Sequence, residues 1–283
     1  MSTSVPRSGE RTAVRDNTTP AAGARRPAAG VRRIIPALVA VAVLVAIWQI
    51  YVDVSGIRPQ LLPSPMRVVE QGWAHRDEIG THAAATLQVT LIGFGVSLIL
   101  AWALAIVVDF SPTLRRAFVP LFVASQTLPI IAIAPLMIIW FGFGLLPKVL
   151  VIALVTFFPM AIGLIEGFAA ADREAGALLR SMGATKRQVF RYVRLPSALP
   201  RFFTALRIGI TYAVVGAVFA EYVGASQGLG IYMNLQKNSF RTDLVLAAVL
   251  VTALVSITLY LLTFAVERVV APWARAENRS SRD

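Results

Sequence analysis

The residues equipped to do chemistry are few. The chain has 283 residues, two histidines (His75 and His82) and no cysteine. Disulfides, thiolate metal sites and thiol catalysis are therefore excluded, and a multi-histidine metal centre has nothing to be built from. No G-x-x-x-x-G-K-[ST] run occurs, so no loop of the kind that cradles nucleotide phosphates is present. No nucleophile–base pair of the usual types is visible, and no catalytic residue, cofactor site or metal site is assigned. What remains is the chemistry of binding. It is concentrated in "RSMGATKRQVFRYVRLPSALP" (Arg180–Pro200), where Arg180, Lys186, Arg187, Arg191 and Arg194 interrupt an otherwise apolar chain. A second set of polar side chains, Gln126, Arg207, Tyr212, Glu221 and Tyr222, falls within or beside apolar runs. Leaving such groups unpaired in lipid is costly, which makes each a functional candidate.

The elements that carry these residues are set by composition. Hydrophobic residues make up 57% of the chain and charged ones 15%, with a mean hydropathy of +0.68. Soluble domains average roughly 45–50% apolar and about 25% charged. No water-soluble core of this size hides so much apolar side chain, so the solvent is a bilayer. The net charge of +12 would suit nucleic acid. Here, though, Arg and Lys cluster at the ends of apolar runs, where a membrane protein keeps its cytoplasmic charge, so nucleic acid is not the expected partner.

Residues 1–33 show no hydrophobic period and read as a disordered basic arm. Ile34–Val52 is long enough to cross a ~30 Å hydrocarbon core. It reads as an uncleaved anchor rather than a signal peptide, because "YVDVSG" offers no small-x-small cleavage site. "LLPSPMRVV" (Leu61–Val69) reads as a Pro-punctuated connector at the outer surface. Further spans are expected at His82–Val108, Val119–Trp140, Val149–Gly167, Thr204–Tyr222 and Leu244–Val266. The third of the six carries Pro120, Pro129 and Pro135, a load that membrane helices tolerate where neighbours re-satisfy the freed backbone groups. The expected organisation is a first helix and outer connector (34–80), a transmembrane core (81–267) containing the basic segment 169–200, and a charged tail (268–283).

Six spans put both termini on one side. The arm, Arg115 and Arg116, Arg173–Arg201 and the tail share one set of loops, far richer in Lys and Arg than the set holding Arg58, Arg67, Arg76, Lys148, Lys237 and Arg241. The positive-inside rule places the richer set, with both termini, in the cytoplasm of a multi-pass protein of the plasma or inner membrane. Within the basic segment, Ala175, Leu178, Leu179 and Met182 fall at helical spacing, with Arg173, Glu174 and Arg180 around them. Gly183 reads as a helix terminator and Thr185 as the cap of a second helix. In that second helix Val189, Phe190 and Val193 point inward, Lys186, Arg187, Arg191 and Arg194 outward, and Pro196 is expected to stop it. Such an apolar ridge on a cytoplasmic loop suits a groove in a partner protein. It equally suits a membrane surface with anionic headgroups.

The spacing Gly183, nine residues, Val193-Arg194-Leu195-Pro196 resembles the cytoplasmic signature loop of binding-protein-dependent ABC importer permeases. That signature opens with Glu-Ala-Ala, whereas Ala177, Leu178 and Leu179 occupy those positions here and Glu174 lies one turn earlier. From Leu61 onward, "LPSP", "QTLPIIAIAPLMIIWFGFG", "FFPMAIGLIEGF", "LPSALPRFFTALRIG" and "AEYVGASQGLG" resemble the nitrate/sulfonate/taurine-type permease family. The resemblance implies an all-α, polytopic membrane protein of about six transmembrane helices with the type I ABC importer permease fold. It also implies a separate ATPase subunit, an extracytoplasmic solute-binding protein and a second permease copy as partners within the bilayer. Docking to the ATPase would fall to Glu174, Leu178, Leu179, Arg180, Met182, Gly183, Ala184, Thr185, Lys186 and Arg187. Gln126, Tyr212 and Glu221 are the candidates for the translocation path. Tyr212 and Tyr222 also read as interfacial anchors, Glu221 as a structural ion-pair partner, and Arg207 as a side chain snorkelling to water. "GASQGLG" (Gly224–Gly230) reads as a flexible gate or re-entrant turn.

"TYAVVGAVFAEYVGASQGLGIYMNLQKNSF" looks closer to permeases for hydroxymethylpyrimidine-type thiamine precursors than to the sulfonate branch, with sulfonate, taurine or nitrate as the alternative. A stand-alone ion-coupled carrier is the rival class, but no carboxylate sits mid-span to take a proton. Ala205, Gly209, Ala213 and Gly216 form a small-residue face suited to close approach of helices, and a homodimer with the path along its axis is expected.

Overall fold

The computed structural model describes residues 29–127 and 129–272, and every regular element among them is helical. Residues 1–28 of the expected arm and 273–283 of the expected tail lie outside them. The chain divides into two units, Met1–Ile47 and Trp48–Asp283. The described part of the first belongs to α1 (Ala29–Ser55), which from Ile35 to Ser55 is an apolar helix of 21 residues with mean hydropathy 2.3. At 1.5 Å per residue it reaches about 31 Å, the thickness of a hydrocarbon core.

The second unit begins with α2 (Pro65–Ala74), α3 (Arg76–Phe110), α4 (Pro112–Ser125), α5 (Ile130–Phe141) and α6 (Leu145–Ala169). It continues with α7 (Arg173–Ser181), α8 (Lys186–Val189), a π-helical turn (Phe190–Arg194), α9 (Leu195–Gly224), α10 (Leu229–Asn238) and α11 (Thr242–Val270). Among the described residues five helices are long and apolar enough to cross a membrane, and Ala132–Phe141 is a shorter apolar one. The centre of the unit is α6, packed between α3 and α9. Missing side chains allow the close approach. A Cβ on Gly93 would lie 2.7 Å from Ile152 Cβ, and one on Gly167 would lie 2.9 Å from Ala198 Cα. Around these contacts Trp102 packs edge-on against Phe168 and Phe202 in a core that also buries Met160, Leu164 and Phe203.

The small-residue face of the fifth span is consumed by this packing. Ala205, Gly209, Ala213 and Gly216 are buried against α6, meeting Gly163, Met160 and Ile152 within the same chain. The expectation that this face admits a second copy is therefore corrected. Arg207 does not snorkel to water either. Its Nη1 donates to Glu267 Oε2 at 2.5 Å, and its guanidinium lies 4.3 Å from the Phe264 ring centroid, joining α9 to α11.

Three further expectations change with the backbone. The third span is not one helix: α4 and α5 are separate, 14 and 12 residues long. Pro120 and Pro135 are accommodated inside these helices, whereas Pro129 has an extended backbone (ψ 118°) and caps the start of α5. Before it, the Gln126 and Thr127 N–H groups turn back to the Val123 and Ala124 carbonyls. Second, Pro196 does not stop the helix. The run Lys186–Gly224 is continuous over 39 residues, because the Leu195 N–H bonds to the Phe190 carbonyl five residues back. Widening the ladder by one residue just before Pro196 absorbs a ring that an α-helix has no room for. Third, the connector Leu61–Val69 ends in a helix. Ser64 Oγ accepts the Arg67 N–H and Pro65 takes the first position, where its missing N–H costs nothing, to start α2.

Opposite ends of the unit are tied by different chemistry. At the end carrying α7 and α8, Arg194 Nη1 donates to Asp109 Oδ2 at 2.6 Å, fastening the basic segment to α3. At the other, Asp243 accepts from Arg67 at 3.2 Å and from Arg241 at 3.1 Å, while Arg241 also donates to Gln71. The Thr242 hydroxyl donates to the Gln60 carbonyl there. These bonds clamp α2 to the start of α11.

Candidate functional site

The basic segment folds as two short helices around a tight reversal. Asp172 caps α7 by accepting the Glu174 and Ala175 N–H groups at 2.8 and 3.4 Å. At the far end the Gly183 N–H bonds to Arg180 O and the Ala184 N–H to Leu179 O, both at 3.0 Å. This pair of bonds is the Schellman closure, and it holds Gly183 at φ 87°. Thr185 and Gln188 then form a reciprocal capping box that starts α8. Both helices are thus fixed by local bonds on either side of Gly183. On the inner side Val189 is buried and packs over Gly176. On the outer side Leu178 is 63% and Met182 75% exposed, near exposed Glu174, Lys186 and Arg187; Arg180 is exposed as well but lines a cavity under the helices. Leu179 and Ala184 are half-buried. The ten sequence-selected residues fall on α7, the reversal after it and the first residues of α8.

Gly183 is the position where this geometry depends on glycine. A Cβ there meets nothing within 4 Å, so the constraint is the backbone alone. Gly183→Val is expected to cost about 1–2 kcal/mol through the left-handed conformation. Faster proteolytic nicking between Ser181 and Thr185, with membrane abundance unchanged, would show the loosening; an unchanged rate would show that the reversal tolerates a β-branched residue.

Of the three path candidates, two come together. Gln126 at the end of α4 and Tyr212 on α9 line a cavity of about 150 Å³ with Ser125, Ile133, Phe158 and Pro159. It adjoins a larger one of about 650 Å³ that reaches Glu166, Arg201 and Thr204. The α4–α5 break creates this opening, placing amide and hydroxyl groups beside aromatic and aliphatic walls.

Glu221 lies elsewhere. It is fully buried and accepts the Thr86 hydroxyl at 2.8 Å and the Gly230 N–H at 3.0 Å. The Gly228 N–H bonds to His82 Nδ1 at 3.0 Å and the Leu229 N–H to Thr86 Oγ1 at 2.7 Å. The Gly-rich stretch is thus held on α3 and α9 by a polar knot, and it leads into α10. Tyr232 of that helix packs beside His82, ring centroids 5.1 Å apart. Burial, with a contribution from the Glu78 carboxylate, pushes its phenol up to about 12, so it stays neutral. Neither Thr86 nor Asp109 was marked by sequence. A hydroxyl or carboxylate near the end of an apolar run gives no sign of its partner in another helix.

The architecture of a long-helix core, a short capped helix pair at one end and a polar cavity at a helix break has clear relatives. Residues 84–276 match the family described as binding-protein-dependent transport system inner membrane component. The chain belongs to this family. It is a multi-pass inner-membrane permease subunit of an ABC importer and not an enzyme. The formylaminopyrimidine transport permease protein ThiX of Halalkalibacterium halodurans is 36% identical over 83% of this chain and 94% of its own. The riboflavin transport system permease protein RibX of Chloroflexus aurantiacus is 38% identical over 81% and 87%. The taurine transport system permease protein TauC of Escherichia coli is 31% identical over 86% and 90%. Among solved structures, an amino acid ABC transporter shares the fold at TM-score 0.55 and 16% identity, covering 70% of this permease and 95% of that chain. The MetNI methionine ABC transporter, in an inward-facing conformation, does so at TM-score 0.53 and 23% identity, covering 72% and 96%.

Proposed function

We propose that this permease imports a pyrimidine-containing heterocycle, with Gln126 and Tyr212 on its path and α7–α8 as the docking element for the ATPase. The observation that carries the docking assignment is the exposed Leu178–Met182 ridge on a helix locked at both ends. Apolar side chains held rigidly outward lose little entropy on binding, which suits transmission of force from a partner. Glu174, three residues before Ala177, shares its helix face and takes the place of the glutamate missing from the family signature. The greater Lys and Arg content of these loops supports a cytoplasmic position for this element and both termini.

The substrate class rests on the formylaminopyrimidine and riboflavin permeases, whose named substrates share a pyrimidine ring, and on the flat aromatic and amide groups of the cavity. A division into a first helix with connector (34–80) and a transmembrane core (81–267) is supported by the match over residues 84–276.

A homodimer completes the path. Its contact surface is the exposed face of α9 that carries Ile208, Tyr212 and Val215. The deciding experiment reconstitutes the permease with its ATPase and binding protein in proteoliposomes. ATP-dependent uptake of formylaminopyrimidine, with none of taurine, is expected; the reverse preference overturns the substrate reading. Single cysteines at Ile208 or Val215, introduced into the cysteine-free chain, should crosslink to a second copy in the same preparation. Absence of any crosslinked pair in active vesicles points to a different second subunit.

A further inference from the structure

Beneath the docking helices lies a third cavity, of about 280 Å³, separate from the path. Its floor includes buried Phe168 and Val189, and its walls carry Arg115 from α4, Arg173 and Arg180 from α7, and Arg194 from the π turn. Two acidic residues, Asp109 and Asp172, line it as well. Asp109 is engaged by Arg194, and Asp172 by the first N–H groups of α7. The described residues offer no ion-pair partner to Arg115, Arg173 or Arg180. The site therefore carries a net excess of two positive charges, four arginines against two aspartates, in a space far larger than the ~30 Å³ of one water.

We infer that this cavity is a phosphate-recognition site, taking a phospholipid headgroup or a free phosphate. Guanidinium groups converging from separate elements match a tetrahedral oxyanion better than they match a single carboxylate, because each fork presents paired N–H donors to two oxygens. Burial of the apolar floor reduces solvent screening of those charges. The neighbouring Arg116 is exposed and does not line the cavity, so charge at the surface and charge in the site can be separated by mutation. An occupant here would bridge α4 and α7 and stiffen the base on which the exposed ridge stands. Phosphate binding is argued from the cavity alone and holds whether or not the ridge docks an ATPase.

The test uses the full-length permease purified in neutral detergent. Short-chain phosphatidylglycerol adducts are read by native mass spectrometry, and inorganic phosphate is titrated by calorimetry. Saturable binding of either ligand is expected, the lipid arm alone indicating a headgroup and the phosphate arm alone a soluble anion. R115Q and R173Q should each weaken that binding by about tenfold, while R116Q stays within about twofold. Both Arg115 and Arg173 lie outside the proposed ATPase contact, so their loss leaves the ridge intact. No saturable binding of either ligand, an equal loss in R116Q, or full binding in R115Q and R173Q overturns the site.

Discussion

Leu178→Asp combined with Met182→Asp is expected to strip the ATPase from the permease in detergent, weakening the complex at least about a hundredfold. Each side chain would contribute about 1.5–3 kcal/mol when buried in a partner groove, and every 1.4 kcal/mol is a factor of ten. Both are chosen because they are the most exposed members of the ridge, at 63% and 75%, so aspartate there disturbs no internal packing. Half-buried Leu179 would confound docking with folding. Pull-down on the tagged permease, with membrane abundance measured in parallel, gives the result. If the ATPase is retained, the ridge faces lipid headgroups and not a protein groove.

Gly230→Val is expected to destabilise the fold itself, by at least about 3 kcal/mol. A Cβ at this position overlaps the Val218 carbonyl and would lie 2.8 Å from Glu221 Cβ. Backbone cannot yield there as a flexible side chain can, so α10 must lift away. Lifting breaks the Gly230–Glu221 and Leu229–Thr86 bonds and leaves buried polar groups unpaired, adding to the overpacking cost. Glu221→Ala should reproduce part of the loss, because the Gly230 N–H and the Thr86 hydroxyl lose a common acceptor. Ser226→Val, at an exposed position of the same stretch, should change little. Thermal unfolding in detergent ranks the three. Equal melting of Gly230→Val and wild type would mean that the knot is not closed in the membrane.

What was legible in the sequence is what depends on local pattern. Apolar length located the long helices, and Gly183 with Thr185 marked the reversal of the docking segment, since caps and left-handed positions are written in single residues. Hydrophobicity did not separate α4 from α5, because the polar Ser125-Gln126-Thr127 run between them is too short to end a span; the break lies in the extended backbone at Pro129 (ψ 118°), whereas Pro120 and Pro135 stay inside helices. The same blindness applied in reverse at Pro196, where a π turn kept the helix running. Small residues on α9 signalled close approach correctly but not the partner, which is α6 of the same chain. Helices α2 and α10 are too short and too polar in part to stand out, and their positions follow from Asp243 and Glu221, whose partners lie far away in sequence.

The run from Lys186 to Gly224 has one further consequence. Thirty-nine residues at 1.5 Å each make a rod of about 58 Å. Its foot is bolted at Asp109 through Arg194, and its head carries Glu221 in the polar knot with Thr86 and Gly230. Pro196 and Pro200 each lack a donor, yet no residue of the run leaves the helix, so a push or a twist applied at Thr185 is delivered to the far end rather than spent in a hinge. The π turn is the one place along the rod where the winding already departs from α-helical pitch. There the shaft can change its phase by a residue without being cut, as a slip coupling does in a drive train.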